Sequence, residues 1–405
     1  MSVTDWVGRV WQRPLTVYSE TEESLRHATW LELFFDLVFV VAMAQLGSYL
    51  HHHLTVGGFL RFAGLFAIVW WVWLALSYYA DTYDTDDTIS HVLLIATMFG
   101  VIFLSQTIDG ALSGGSFAFA VAVFVLRAVL TVSHLRGLYM DSEAKRFVRY
   151  WIGLEVLVTA VWGLSLLVPE PGRFGLWIAS FVISTAGISA IYLGFETVET
   201  QVSHFSERLG LFTILVLGET IIVVAFGTSF VEVDARTVLV GSLGFAIAVS
   251  AWWLYFNRFD EGVVDWALRG DPENWLQTRQ RGIVHIYGHY LVHGGIIAAG
   301  VGVEAVIEAS HAHHALGAGG RVALCVGLAA FVLGLAVVHR TTPESLGNRI
   351  VAARLVAVAL FVALAVGGFV ASPVALIVVV VALLSALVLF EATRELEGER
   401  GGAGV

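Results

Sequence analysis

Two carboxylates, Glu32 and Asp36, stand four residues apart inside the apolar run 30–46. At helical spacing they lie on one face, one turn above the other. An ionised carboxylate is costly in hydrocarbon, so such a pair marks either a charge partnership or the path of an ion or solute. Glu219, in Leu217-Gly218-Glu219-Thr220, is a third carboxylate within an apolar run. Gly218 beside it is expected to admit a close helix neighbour, turning Glu219 towards protein and not lipid. Arg127 and Arg354 also fall within apolar runs, and they are the natural counter-ions for these acids. Glu32, Asp36 and Glu219 are therefore candidates for a transport path, with Arg127 or Arg354 neutralising one of them.

His285, His289 and His293 recur at i, i+4 and i+8, and Glu304 and Glu308 continue the same helix. At 100° and 1.5 Å per residue the five fall within an arc of roughly 140° and span about 35 Å. Imidazoles titrate near neutral pH, so the stripe has the chemistry of a proton relay. Histidines hydrogen-bonding neighbouring helices, with both glutamates in the headgroup zone, is the plainer reading and the one expected. The three histidines remain path candidates. His51-His52-His53 and His311/His313/His314 have metal-ligand chemistry if their loops meet, but no carboxylate completes a recognisable spacing, so no metal is expected. The run Asp81–Asp87 lacks the glycine and closing glutamate of a calcium loop and reads as a solvated acidic loop. No nucleophile elbow, phosphate loop, dinucleotide fingerprint or His-Glu-x-x-His motif is present, so neither an enzyme nor a cofactor is indicated.

The elements that must hold these residues follow from composition. Of 405 residues, 58% are hydrophobic and 14% charged, against about 25% charged in a soluble domain. Mean hydropathy is +0.80. Apolar stretches of bilayer-spanning length recur along the chain. Twelve spanning helices are expected near 30–50, 58–80, 89–109, 116–137, 149–168, 174–194, 208–229, 236–257, 283–308, 319–339, 349–370 and 373–391. Sixteen of the 22 lysines and arginines then share the side of both termini, four lie opposite, and Arg127 and Arg354 lie within helices. That asymmetry places both termini in the cytoplasm, in a multi-pass protein of the plasma membrane. Net charge is −11 with no basic patch, which argues against nucleic acid as a partner. The single cysteine, Cys325, excludes an intrachain disulfide. Residues 1–29 have no apolar core, so no cleaved leader is expected there.

An internal repeat is legible in order. Leu33-Phe34 and Leu37-Val38 match Leu211-Phe212 and Leu215-Val216; Trp70-Trp71 matches Trp252-Trp253; His134 and His339 each end a helix. Arg146-Phe147-Val148 matches Arg349-Ile350-Val351, and Phe195-Glu196 matches Phe390-Glu391. The expected fold is thus an all-α integral membrane protein of about 12 helices in two parallel six-helix repeats. The divisions are a cytoplasmic segment 1–29, repeats 30–200 and 201–391, and a cytoplasmic acidic, glycine-containing tail 392–405.

His27-Ala28-Thr29-Trp30-Leu31-Glu32-Leu33-Phe34-Phe35-Asp36-Leu37-Val38-Phe39-Val40 resembles the signature of the low temperature requirement A (LtrA) family of bacteria and archaea. Glu207-Arg208-Leu209-Gly210-Leu211-Phe212-Thr213-Ile214-Leu215-Val216-Leu217-Gly218-Glu219 resembles that family's second block, and Trp252-Trp253-Leu254-Tyr255-Phe256 fits as well. The resemblance spans about 27–391 and implies a membrane role connected with growth in the cold. Phe35-Asp36-Leu37-Val38-Phe39-Val40-Val41-Ala42-Met43 is also remotely similar to the first-helix motif of endolysosomal potassium channels, but Phe35 stands where that family has serine. Together these favour transport of an ion or small solute within the bilayer. The competing reading is a membrane-embedded enzyme or assembly factor acting on lipid or envelope precursors, with His285 and His289 as acid–base groups. Oligomeric state is open at this level.

Overall fold

The computed structural model describes residues 29–82, 88–135, 145–194, 205–229, 234–259, 263, 274–342, 347–368, 370 and 372–402. Among them are twelve helices and no strand: α1 Trp30–His52, α2 Val56–Thr82, α3 Thr88–Thr107, α4 Ser116–Leu135, α5 Lys145–Leu167, α6 Gly172–Gly194, α7 Phe205–Ser229, α8 Ala235–Phe256, α9 Trp275–His311, α10 Ala318–Arg340, α11 Asn348–Gly367 and α12 Pro373–Gly402. Eleven are long and apolar enough to cross a bilayer. The twelfth, α7, carries Glu207, Arg208 and Glu219 along its 25 residues. The expected N-terminal segment up to residue 28 and most of the acidic loop lie outside the described residues.

Local chemistry sets the helix ends. α1 opens on a capping box: the Thr29 N–H donates to Glu32 Oε2 at 3.1 Å while the Glu32 N–H donates to Thr29 Oγ1 at 3.2 Å. Asp234 caps α8 by accepting from the Thr237 N–H at 2.7 Å, which holds this exposed carboxyl below the usual aspartate range. Gly368 takes a left-handed φ of 57° and stops α11 short of its expected end, and Pro373 opens α12 at the first helical position. α9 runs 37 residues, and α12 continues into the stretch expected to be a tail.

The chain divides into two compact units: Met1–Leu46, Gly64–Leu209 and Glu261–Ile283 in the first, Gly47–Ala63, Gly210–Asp260 and Val284–Val405 in the second. In the first, α3, α4, α5 and α6 pack in sequence order around a core rich in rings, including fully buried Phe35, Phe39, Trp70, Trp73 and Phe119. Tyr78 stacks on Trp151 with centroids 4.8 Å apart. In the second, α10 packs on α11 and α8 on α12. There the contact of α9 with α10 is made by glycines. A Cβ at Gly302 would stand 2.2 Å from the Leu324 nitrogen, and one at Gly295 would stand 2.5 Å from the Phe331 nitrogen. Backbones at that separation require small residues, the usual device of helix pairs in lipid.

Candidate functional site

The capping box places Asp36 one turn inside α1, with its side chain in the core of the first unit. Asp36 Oδ1 accepts hydrogen bonds from Trp73 Nε1 on α2 at 2.8 Å and from Arg208 Nη2 at the start of α7 at 3.0 Å. Arg208 Nη1 donates to the Ser77 carbonyl at 3.1 Å, and the guanidinium lies 5.8 Å from the Phe35 ring centroid. Asp36 and Arg208 are each 1% exposed and Ser77 is fully buried. Three polar atoms of this cluster have no hydrogen-bond partner among the described residues: Asp36 Oδ2, Arg208 Nε and Ser77 Oγ. A buried polar atom left unpaired costs about 1–3 kcal/mol, so three around one ion pair are a substantial unmet capacity. Glu32, in the cap above, adds its charge to the field on Arg208.

The counter-ion of Asp36 is thus Arg208, not Arg127 or Arg354. Arg127 on α4 faces Glu155 on α5, with Nη1 and Oε2 3.6 Å apart and both side chains 3% exposed. Arg354 on α11 forms a fork with Glu391 on α12, at 2.7 Å (Nε to Oε1) and 2.8 Å (Nη2 to Oε2). Its Nη1 also reaches the Leu335 carbonyl at 2.9 Å and His339 Nδ1 at 3.0 Å. All three guanidinium nitrogens are engaged in protein contacts, the pattern of a structural clamp. The Asp36–Arg208 pair keeps atoms open on both partners, as does Arg127–Glu155, where Arg127 Nε and Nη1 and Glu155 Oε2 have no hydrogen-bond partner among the described residues; the open Ser77 hydroxyl beside it sets the Asp36 cluster apart.

The three α9 histidines are held by neighbouring helices, as the plainer reading expects. His285 Nδ1 lies 3.1 Å from Thr341 Oγ1, and His289 Nδ1 donates to the His285 carbonyl at 2.9 Å. That bond leaves His289 Nε2 as the acceptor for the Tyr255 hydroxyl at 2.9 Å. His293 Nε2 meets Thr213 Oγ1 on α7 at 2.9 Å. Every partner lies on or beside a helix of the second unit, so the column knits α7, α8 and α10 to α9.

Glu219 is half-buried and, among the described residues, has neither a hydrogen bond nor a salt bridge. Its one electrostatic neighbour is another acid, Glu304. Gly218 does not serve as expected: a Cβ there would meet nothing within 4 Å, and close helix approach occurs at the α9–α10 glycines instead. Glu304 and Glu308 leave the histidine stripe and face His51 at the end of α1, at 3.2 and 3.5 Å.

Arg208, Glu155 and the role of Glu391 escaped the sequence reading. Glu155 stands in Gly153-Leu154-Glu155-Val156-Leu157, an apolar setting of the same kind that singled out Asp36. Arg208, at the foot of α7, reads as one more flanking positive charge, and only tertiary packing brings it to α1.

The family model for the bacterial low temperature requirement A protein (LtrA) matches residues 27–389, so the chain belongs to the LtrA family. The chain is 29% identical over 286 residues to "Uncharacterized protein RA0937" of Rhizobium meliloti (strain 1021), across 68% of this chain and 69% of that one. No solved structure matches it. Family membership and the apolar helices identify a multi-pass membrane protein.

Proposed function

We propose that this LtrA-family protein moves an ion or small polar solute across the membrane, and that Asp36, Arg208 and Ser77 form its binding position. The observation that carries the reading is the open hydrogen-bonding capacity of that buried cluster: an acceptor on Asp36, a donor on Arg208 and a hydroxyl on Ser77. Arg354 and Glu391 saturate one another by comparison. Arg127 and Glu155 also keep open atoms, and the Asp36 cluster is favoured over them by its third open group, the Ser77 hydroxyl. Open atoms on a buried, charge-compensated pair suit a transient polar guest, which replaces the missing hydrogen bonds on arrival and gives them up on leaving. Protonating Asp36 would loosen its hold on Arg208, a route for coupling proton movement to solute movement.

The two halves are proposed to be parallel six-helix repeats with both termini cytoplasmic. Trp70-Trp71-Val72-Trp73 on α2 and Trp252-Trp253-Leu254-Tyr255 on α8 support this. The fourth residue of each tetrad is a buried ring with a polar atom engaged inside its unit: Trp73 bonds Asp36 on α1, and Tyr255 bonds His289 on α9. The test is reconstitution into liposomes with potassium, sodium, protons and small organic solutes offered in turn. Flux of one of them that falls to background in Asp36→Asn supports the proposal. Absence of flux for every class, or flux indifferent to Asp36→Asn, overturns it.

A further inference from the structure

We infer that His51, Glu304 and Glu308 form a binding site for a divalent transition-metal ion at the C-terminal end of α1. Glu304 and Glu308 stand one turn apart on α9 and so present two carboxylates on one face. α1 packs against α9 there: a Cβ at Gly47 would make ordinary van der Waals contact with Ile297 and Val301 at 3.6 Å. One turn further on, His51 places Nδ1 3.2 Å from Glu304 Oε2 and Nε2 3.5 Å from Glu308 Oε1. His52 and His53 turn back onto the carbonyls of Ser48 and Tyr49, so of the three adjacent histidines His51 is the one aimed at the acids.

One donor atom from each of the three residues lies within 4.8 Å of the others. Tetrahedral zinc, with bonds of about 2.0–2.2 Å, spaces its ligand atoms roughly 3.3–3.6 Å apart, a contraction that glutamate rotamers supply. Charge favours a cation as well. Glu219 adds a third carboxylate within electrostatic reach of Glu304, and among the described residues no lysine or arginine is ion-paired with any of the three. One imidazole, even protonated, leaves the group net negative. A cavity of about 520 Å³ lined by Glu308, Leu54, Thr55 and Ala309 opens beside the site, giving access and room for water ligands. The nitrogen donor separates this set from the all-oxygen shells that calcium and magnesium take and favours a first-row transition metal.

The test is calorimetric titration of zinc into the full chain in detergent micelles, with thermal unfolding as a second readout. A single-site isotherm, a zinc-dependent rise in Tm, and affinity at least about tenfold weaker in Glu308→Gln and His51→Gln are expected, since even outer-shell losses weaken metal sites by that factor. Glu308 is 58% exposed, so Glu308→Gln leaves folding intact and isolates the ligand effect. Excess calcium should not displace the zinc. No binding, or binding equally tight in both variants and lost instead on replacing His311, His313 and His314, overturns the site. In the first of those cases His51 is simply an imidazolium held between two acids.

Discussion

Replacing Asp36 by asparagine leaves the Arg208 charge buried without its hydrogen-bonded counter-ion, with only the longer-range charges of Glu32 and Asp81 to offset it. Arg208 is 1% exposed; its remaining contacts are the Ser77 carbonyl at 3.1 Å and the face of Phe35. Removing one partner of a buried pair costs about 3–5 kcal/mol, because the stranded charge keeps its desolvation penalty and loses its compensation. Asparagine retains an oxygen for Trp73, so the low end, about 3 kcal/mol, applies. Arg208→Met strands Asp36 in the same way and should cost a similar amount. The double variant removes both charges together, and its loss should fall well short of the sum, with a coupling of about 2–3 kcal/mol. Equilibrium unfolding of the four proteins in micelles measures this cycle. Single variants that each cost under about 1 kcal/mol, or losses additive to within about 0.5 kcal/mol, would refute a desolvated pair.

Glu391→Gln should break the fork on Arg354 and lower stability by about 3–5 kcal/mol, with flux per folded molecule unchanged, read from unfolding curves beside liposome assays. Gly302→Val should cost at least about 1–3 kcal/mol or abolish folding, because its Cβ would stand 2.2 Å from the Leu324 backbone. Gly218→Ala, with nothing within 4 Å, should be neutral or stabilising by up to about 1 kcal/mol in the same unfolding assay.

The helices were legible because hydrocarbon demands long apolar runs with satisfied backbones, and that demand is local. All twelve expected spans have a helix, and the largest departures, the long α9 and the long α12, extend into polar sequence where hydropathy carries no signal. Partner choice was not legible. Asp36 stood out as an expensive charge, but its partner Arg208 begins another helix, and the sequence contains nothing that ranks Arg208 above Arg127 or Arg354. The same holds for His51, whose acids arrive from α9. The cap of α1, Thr29-Trp30-Leu31-Glu32, went unread beside the charge argument, and it gives Glu32 a structural task as well. Glycine was misleading: Gly218 suggested a crossing that Gly295, Gly302 and Gly327 make elsewhere.

Ser77→Ala is the most direct probe of the central claim. The Ser77 hydroxyl is buried and without a partner among the described residues, so a merely structural cluster gains stability when it is removed, by about 1 kcal/mol. If the hydroxyl serves a passing guest, the variant is at least as stable as the parent and its flux in liposomes drops sharply. Unchanged flux in a Ser77→Ala protein of equal or greater stability would contradict the assignment of this centre to transport.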